Sequence, residues 1–170
     1  LKYEPRNKIK FLNSKFKSLK IEKLKNINLH SSQISEHTSI IAKEKKVRQI
    51  LKLFQEKFSK KNKKICIEGR DIGTVILPKA DIKFFFKWDL KTAAKRRFRE
   101  LKKKNKKTKL SIVKKSLKIR NLRDKKRKNS PLLKSRDAII VDTGKLKNIQ
   151  SMINKMSKEI EKKIKIKYGH

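Results

Sequence analysis

Apolar residues recur along this chain with two different periods, and the periods divide it into elements. Val47, Ile50, Leu51, Phe54 and Phe58 fall three and four apart, which sets them on one face of an amphipathic helix. Just upstream, Ser31 to Glu36 offers the hydroxyl and carboxylate chemistry that starts a helix. Two further helical patterns run over 90–101 and 111–119. A last one places Ile149, Met152, Ile153, Met156 and Ile160 on one face. Three short apolar segments, 65–67, 82–86 and 138–141, lack alternation, as strands covered on both faces do. Weaker strand-like stretches sit at 8–13 and 19–24, the second alternating Leu19 and Ile21 with Lys20 and Glu22. Strands interleaved with helices predict an α/β fold with a parallel sheet. The lysine-rich 60–64 reads as a charged turn, and 102–109 as a polar lid or linker tip.

Charge changes this picture less than its size suggests. Lys and Arg number 53 against 15 Asp and Glu in 170 residues, a formal net charge of +38. So basic a surface invites a polyanion. The cations, however, are 43 Lys and only 10 Arg, beside 21 Ile and 10 Asn. Lysine fills the flexible surface positions by default, as an AT-rich coding background would have it, and nucleic acid is not the expected partner. A periodic apolar fraction of 35%, with four Gly and three Pro, excludes a linker or low-complexity tail. The length allows one domain with a real core. The lone cysteine, Cys66, excludes an internal disulfide and a cysteine-rich zinc site, fits a reducing cytoplasm, and reads as a small buried residue in mid-strand. No apolar run is long enough to span a membrane, and Leu-Lys-Tyr-Glu-Pro at the start carries no signal-peptide core.

Arginine is the tracer for chemistry. Its planar, bidentate guanidinium is hard to replace by Lys where a phosphate or carboxylate must be held in fixed geometry. Two segments stand out. Glu68-Gly69-Arg70-Asp71-Ile72-Gly73-Thr74-Val75 follows directly on the apolar 65–67, at the strand end where open α/β sheets bind ligands. A bare Gly-Arg-Asp is equally often a salt-bridged surface turn; the two glycines and the preceding strand favour a site. In Arg120-Asn121-Leu122-Arg123-Asp124-Lys125-Lys126-Arg127, residues 120, 124 and 127 share one helix face. Two guanidiniums flanking a carboxylate suit a sugar-phosphate. Alone, the segment would more commonly be a solvated basic helix.

Together these residues resemble a family. Gly-Arg-Asp-Ile-Gly-Thr-Val followed by Pro78-Lys79-Ala80-Asp81-Ile82-Lys83-Phe84-Phe85 is similar to the signature of bacterial cytidylate (CMP/dCMP) kinases. Ser39 with Val47-Arg48, Ala94-Lys95-Arg96-Arg97, the Arg120–Arg127 box, Pro131-Leu132, and Asp137-Ala138 with Val141-Asp142-Thr143 agree in order and spacing. The resemblance runs from about residue 8 to the C-terminus.

The resemblance implies a three-layer α/β fold of the P-loop nucleoside-monophosphate-kinase type with a parallel sheet, here N-terminally truncated. It implies phosphoryl transfer from ATP, with Mg²⁺, to CMP or dCMP. Asp71 would accept from the cytosine amine, with Ser39 and Arg48 donating to the ring. Arg70 and Arg127 would grip the phosphate, and Arg120 and Asp124 the sugar. Arg96, Arg97 and Arg123 would stabilise charge on the phosphoryl in flight. The parts would be 1–62, within the monophosphate-binding region and a following helix; 63–100, core strands and helix; 101–130, lid and basic helix; and 131–170, core strand and final helix. A cytoplasmic monomer is expected, with no protein metal ligands and no membrane or nucleic-acid partner. The rival class is a basic RNA-binding or ribosome-associated protein, which would need clustered base-stacking aromatics. The chain departs from the family in having no Gly before Gly69, and so no Gly-x-x-x-x-Gly-Lys loop to cradle ATP phosphates. An N-terminal portion carrying that loop is therefore expected, and the present chain is expected not to turn over alone. His30 and Ala93 stand where the family usually has Arg, and Asn121 where it has Asp. Asn121 keeps a hydrogen-bonding side chain without the charge.

Overall fold

The computed structural model describes residues 7–20, 31–62, 64–104, 106–144, 146 and 148–169. Six helices and two strands follow one another along it. They are α1 (Lys8–Lys17), α2 (Ser32–Ile41), α3 (Lys45–Lys61), β1 (Phe84–Lys87), α4 (Leu90–Lys104), α5 (Leu110–Lys126), β2 (Ile139–Asp142) and α6 (Ile149–Tyr168). A single π-helical turn, Ile72–Ile76, lies between α3 and β1. The fold class is α/β.

α1 replaces the strand expected over 8–13. Ile9, Leu12 and Phe16 are its half-buried apolar residues, at helical rather than strand spacing, while Phe11 stays exposed. Asn7 caps it by accepting from the Lys10 amide at 3.1 Å. It packs on α3, where the Phe16 and Phe54 rings lie 5.2 Å apart in a tilted pair. Of the expected 19–24 strand, residues 19 and 20 are irregular, and 21–24 lie outside the described residues.

β1 and β2 pair in parallel, in the register Phe84 with Ile139 through Lys87 with Asp142, and α4 and α5 form the crossover between them. The expected strands at 82–86 and 138–141 are thus present, shifted towards their C-terminal ends. The strand expected at 65–67 is not. That segment is irregular, Ile65 is 36% exposed, and Cys66 is exposed rather than buried in mid-strand. A parallel strand is stabilised by neighbours on its edges and cover on its faces, and among the described residues no strand runs beside 65–67.

The core is small. Val47 and Ile50 of α3, Ile76, Ala94 of α4, Val113 of α5 and Val141 of β2 are its buried apolar residues, with Val141 fully enclosed. The start of β1 is tied to the turn before β2 by a buried lysine. Lys83 donates to the Pro78 carbonyl and to both carboxylate oxygens of Asp137, at 2.7 and 3.0 Å. Gly73 lets the π-helical turn pass close by, since a Cβ there would sit 3.2 Å from Lys83 Cδ and 3.3 Å from Ser135 Oγ.

Candidate functional site

Three separate segments bring arginine and aspartate together. α3 supplies Arg48, and the loop before the π-helical turn supplies Arg70 and Asp71. α5 supplies Arg120, Asn121, Arg123 and Asp124, and Arg127 follows as the C-cap residue of α5. The carbonyl of Asp71 accepts from the amides of Val75 at 2.9 Å and Ile76 at 3.3 Å, which fixes the backbone that carries the carboxylate. Asp71 is 7% exposed and Asp124 2%. Such burial demands partners for the charge, and the guanidiniums provide them.

Arg48 donates to Asp71 through Nη2. Arg127 spans both carboxylates, with Nη2 3.7 Å from Asp71 Oδ1 and Nη1 3.3 Å from Asp124 Oδ1. The Nε of Arg70 and that of Arg120 lie 3.4 and 3.8 Å from Asp124 Oδ2. Arg70 also donates to Asn121 Oδ1 at 2.9 Å, so the neutral side chain at 121 keeps a hydrogen bond. Arg123 donates to the Ser39 hydroxyl, linking α5 to α2. Six of the seven residues expected to bind substrate, Arg48, Arg70, Asp71, Arg120, Asp124 and Arg127, are therefore in one connected network, while the seventh, Ser39, is bound to Arg123.

Cations outnumber anions in this network, and hydrogen bonding is incomplete. Burial, then the charge of Arg120, lowers the Arg70 guanidinium below its ordinary range, and Asp124 partly restores it. Burial, then Arg48, does the same to Arg127, against Asp124 and Asp71. Both stay protonated, because guanidinium begins from so high a value. Buried Asp124 Oδ2, Arg48 Nε, Arg120 Nε and Arg127 Nη2 have no hydrogen-bond partner. The ion-pair contacts to Asp124 Oδ2 are close but poorly aligned. Arg120 Nε and Asp124 Oδ2 face each other at 3.8 Å, and Arg127 Nη2 faces Asp71 Oδ1 at 3.7 Å, so these atoms are matched in charge without being hydrogen-bonded.

Arg96 and Arg97 are placed elsewhere on α4. Arg96 donates to the Thr143 carbonyl at the end of β2 at 2.7 Å, and Arg97 pairs with Glu100 at 2.8 Å on the same helix. His30 lies outside the described residues. Sequence reasoning missed Ser130. Its backbone is left-handed (φ 53°), and its carbonyl accepts from Arg127 Nε. The Asn129-Ser130-Pro131 turn signal could have found it. Among the described residues no three His, Cys, Asp or Glu side chains are grouped as a metal site, and no helix is long and apolar enough to cross a membrane.

Fold and site together define an α/β protein whose guanidiniums converge on two buried carboxylates. The chain belongs to the cytidylate kinase family, whose family model, "Cytidylate kinase", matches residues 3–162. Among curated relatives, the cytidylate kinase of Rickettsia akari is 35% identical over 148 residues, 87% of this chain and 66% of the relative. That of Pediococcus pentosaceus is 37% identical over 79% of this chain and 58% of the relative. A Streptococcus pneumoniae cytidylate kinase is 35% identical over 80% of this chain and 60% of the relative. The chain thus spans about three fifths to two thirds of the length of these relatives.

Proposed function

We propose that this chain forms the acceptor-nucleotide part of a (d)CMP kinase, which transfers the γ-phosphoryl of ATP to CMP or dCMP to give ADP and CDP or dCDP. The observation that carries the proposal is the meeting of Arg48, Arg70, Arg120 and Arg127 from three segments around the buried carboxylates of Asp71 and Asp124. Asp71 accepts from the exocyclic amine of cytosine, and a carbonyl in that position, as in uracil, meets repulsion. Ser39 and Arg48 donate to the ring nitrogen and carbonyl. Arg70 and Arg127 hold the phosphate. Arg120 and Asp124 hold the sugar, whose hydroxyl finds in Asp124 Oδ2 an acceptor without a hydrogen bond of its own. Because Arg123 is bound to Ser39 in the free protein, base binding and the release of Arg123 go together. Arg123 is then available, with Arg96 and Arg97, to stabilise charge on the transferred group.

ATP brings the phosphoryl group, and Mg²⁺ neutralises charge along its phosphate chain. The residues present do not make a seat for either: the four glycines, at 69, 73, 144 and 169, include no Gly-x-x-x-x-Gly-Lys loop. The chemistry derived for these residues is therefore binding and orientation, which supply much of the barrier reduction in phosphoryl transfer. The setting proposed is a cytoplasmic monomer, in keeping with one unpaired cysteine.

Calorimetric titration with CMP and UMP tests the proposal. CMP binds in preference to UMP, and Asp71→Asn reduces the preference by about 5- to 100-fold, the range of one well-placed hydrogen-bonding pair. Unchanged discrimination in Asp71→Asn removes Asp71 from the base site, and equal binding of both nucleotides by the wild type overturns the substrate. Assayed alone with ATP and CMP, the 170-residue chain forms no ADP above background; measurable turnover would locate a donor seat among these residues.

A further inference from the structure

Beside the nucleotide network lies a second concave feature, an open groove of about 250 Å³. The first two turns of α3 contribute Lys45, Arg48 and Lys52, and the segment after α5 contributes Lys128 and Ser130. Arg48 belongs to both places, and Ser130 of the groove holds Arg127 of the network through its carbonyl. We infer that this groove is a second anion site, taking two adjacent phosphates such as pyrophosphate or the phosphate chain of a nucleoside polyphosphate, and that Arg48 couples it to the nucleotide network.

Chemistry and shape both select the ligand. Four cations line the groove, with no carboxylate among the lining residues, and the apolar lining is Val75 and Ile76 alone. A site that takes a base or other large apolar group is usually bigger, roughly 300–1,000 Å³, and mostly apolar. The walls are held in place. Ser130 keeps a left-handed backbone, and its carbonyl is tied by Arg127, so the loop carrying Lys128 is fixed against α5. The positive end of α3 opens here too. Glu44, at its N-cap, makes no capping bond and pairs instead with Lys8 at 2.7 Å. Arg48 joins the two places, since its Nη2 is on Asp71 while its side chain also lines the groove. An anion in the groove draws the guanidinium from Asp71 and from the base it serves. The two ligands therefore weaken each other, reciprocally.

Titration calorimetry with pyrophosphate alone tests the site and does not depend on the CMP reading. The wild type binds one pyrophosphate saturably at 0.1 M salt. Replacing Lys45, Lys52 and Lys128 by Gln weakens it at least tenfold, while replacing the exposed Lys57, Lys60 and Lys61 by Gln, an equal loss of charge, leaves it within twofold. Arg120→Gln leaves pyrophosphate binding in place. Equal loss in both lysine triples would mean diffuse attraction to a basic surface and overturns the proposal, as does loss on Arg120→Gln, which moves the anion to the nucleotide network. For coupling, saturating pyrophosphate raises the CMP Kd several-fold in the wild type and not in the Lys45/Lys52/Lys128 triple; an unchanged Kd in the wild type overturns the part assigned to Arg48. Failure of CMP to bind at all would count against the kinase reading and leave the pyrophosphate result standing. CTP against cytidine plus pyrophosphate then separates a nucleotide ligand from the free anion.

Discussion

At Asp124 a single carboxylate, 2% exposed, faces Arg70, Arg120 and Arg127. Three guanidiniums packed this closely repel one another, and the carboxylate offsets that repulsion. Asp124→Asn keeps the shape and removes the charge. Breaking a buried pair from one side typically costs about 3–5 kcal/mol, and loss at the lower end of that range is expected in urea unfolding. Inorganic phosphate restores part of it in the variant, by supplying the missing negative charge and binding the folded state alone. An Asp124→Asn protein as stable as the wild type would show that the arginines do not depend on this carboxylate. The residues of the network were legible because Arg is rare in a chain that otherwise writes Lys. Which carboxylate each Arg meets was not legible. That Arg127 bridges Asp71 and Asp124 goes with the chain turning at Ser130; Asn129-Ser130-Pro131 signals a turn, but not which carboxylates that turn brings to Arg127.

Elements are held in register by polar ties as well as by the core. The pair Lys83–Asp137 joins the start of β1 to the turn before β2. The hydrogen bond from Lys83 holds the Asp137 carboxyl below the usual aspartate range. In the unfolded chain the group titrates near its ordinary value of about 3.9, so between the two values the unfolded state binds more protons and stability rises with pH. The tie is present in full above the unfolded value and is lost as pH falls through the lower folded one. Asp137→Asn should therefore unfold at lower urea than wild type above about pH 5, with the gap closing below about pH 4. A gap constant with pH would mean that the charge of Asp137 is not what matters. At this scale the sequence was most readable where apolar spacing is long and regular, as in α3, α4 and α6. α1 was misread because 8–13 is too short a window to separate a period of 2 from one of 3.6; only Phe16 completes the helical face. The apolar pattern of α5 stops at 119 because its buried position beyond is Asp124, not an apolar residue, and the spacing of 120, 124 and 127 is what carries the helix on towards Lys126. The segment 65–67 has the composition of a strand and no neighbour among the described residues, and composition cannot supply a neighbour.

For the whole molecule, the net charge of +38 and the nucleotide network make opposite predictions about salt. Diffuse attraction of nucleic acid to surface lysines collapses steeply between about 50 and 200 mM salt. The proposed binding of CMP by part-buried arginines would be screened far less. Thermal stabilisation by CMP should persist across that range, while stabilisation by a random RNA oligomer disappears; RNA binding that outlasts CMP binding would favour the basic RNA-binding class. Val141 of β2, fully enclosed, is the test of the core. Val141→Ala removes two buried methyl groups, and about 2–3 kcal/mol with them, read as a lower urea midpoint. The two-stranded sheet has a further consequence, a colloidal one. β1 and β2 have no other partner strand among the described residues, and Ile140 is 46% exposed beside them. Unpaired strand edges are templates for other chains, and long-range repulsion between like-charged molecules is what keeps them apart. Most of the lysines thus act as an electrostatic dispersant, and concentrated solutions of this protein should cluster as salt is raised.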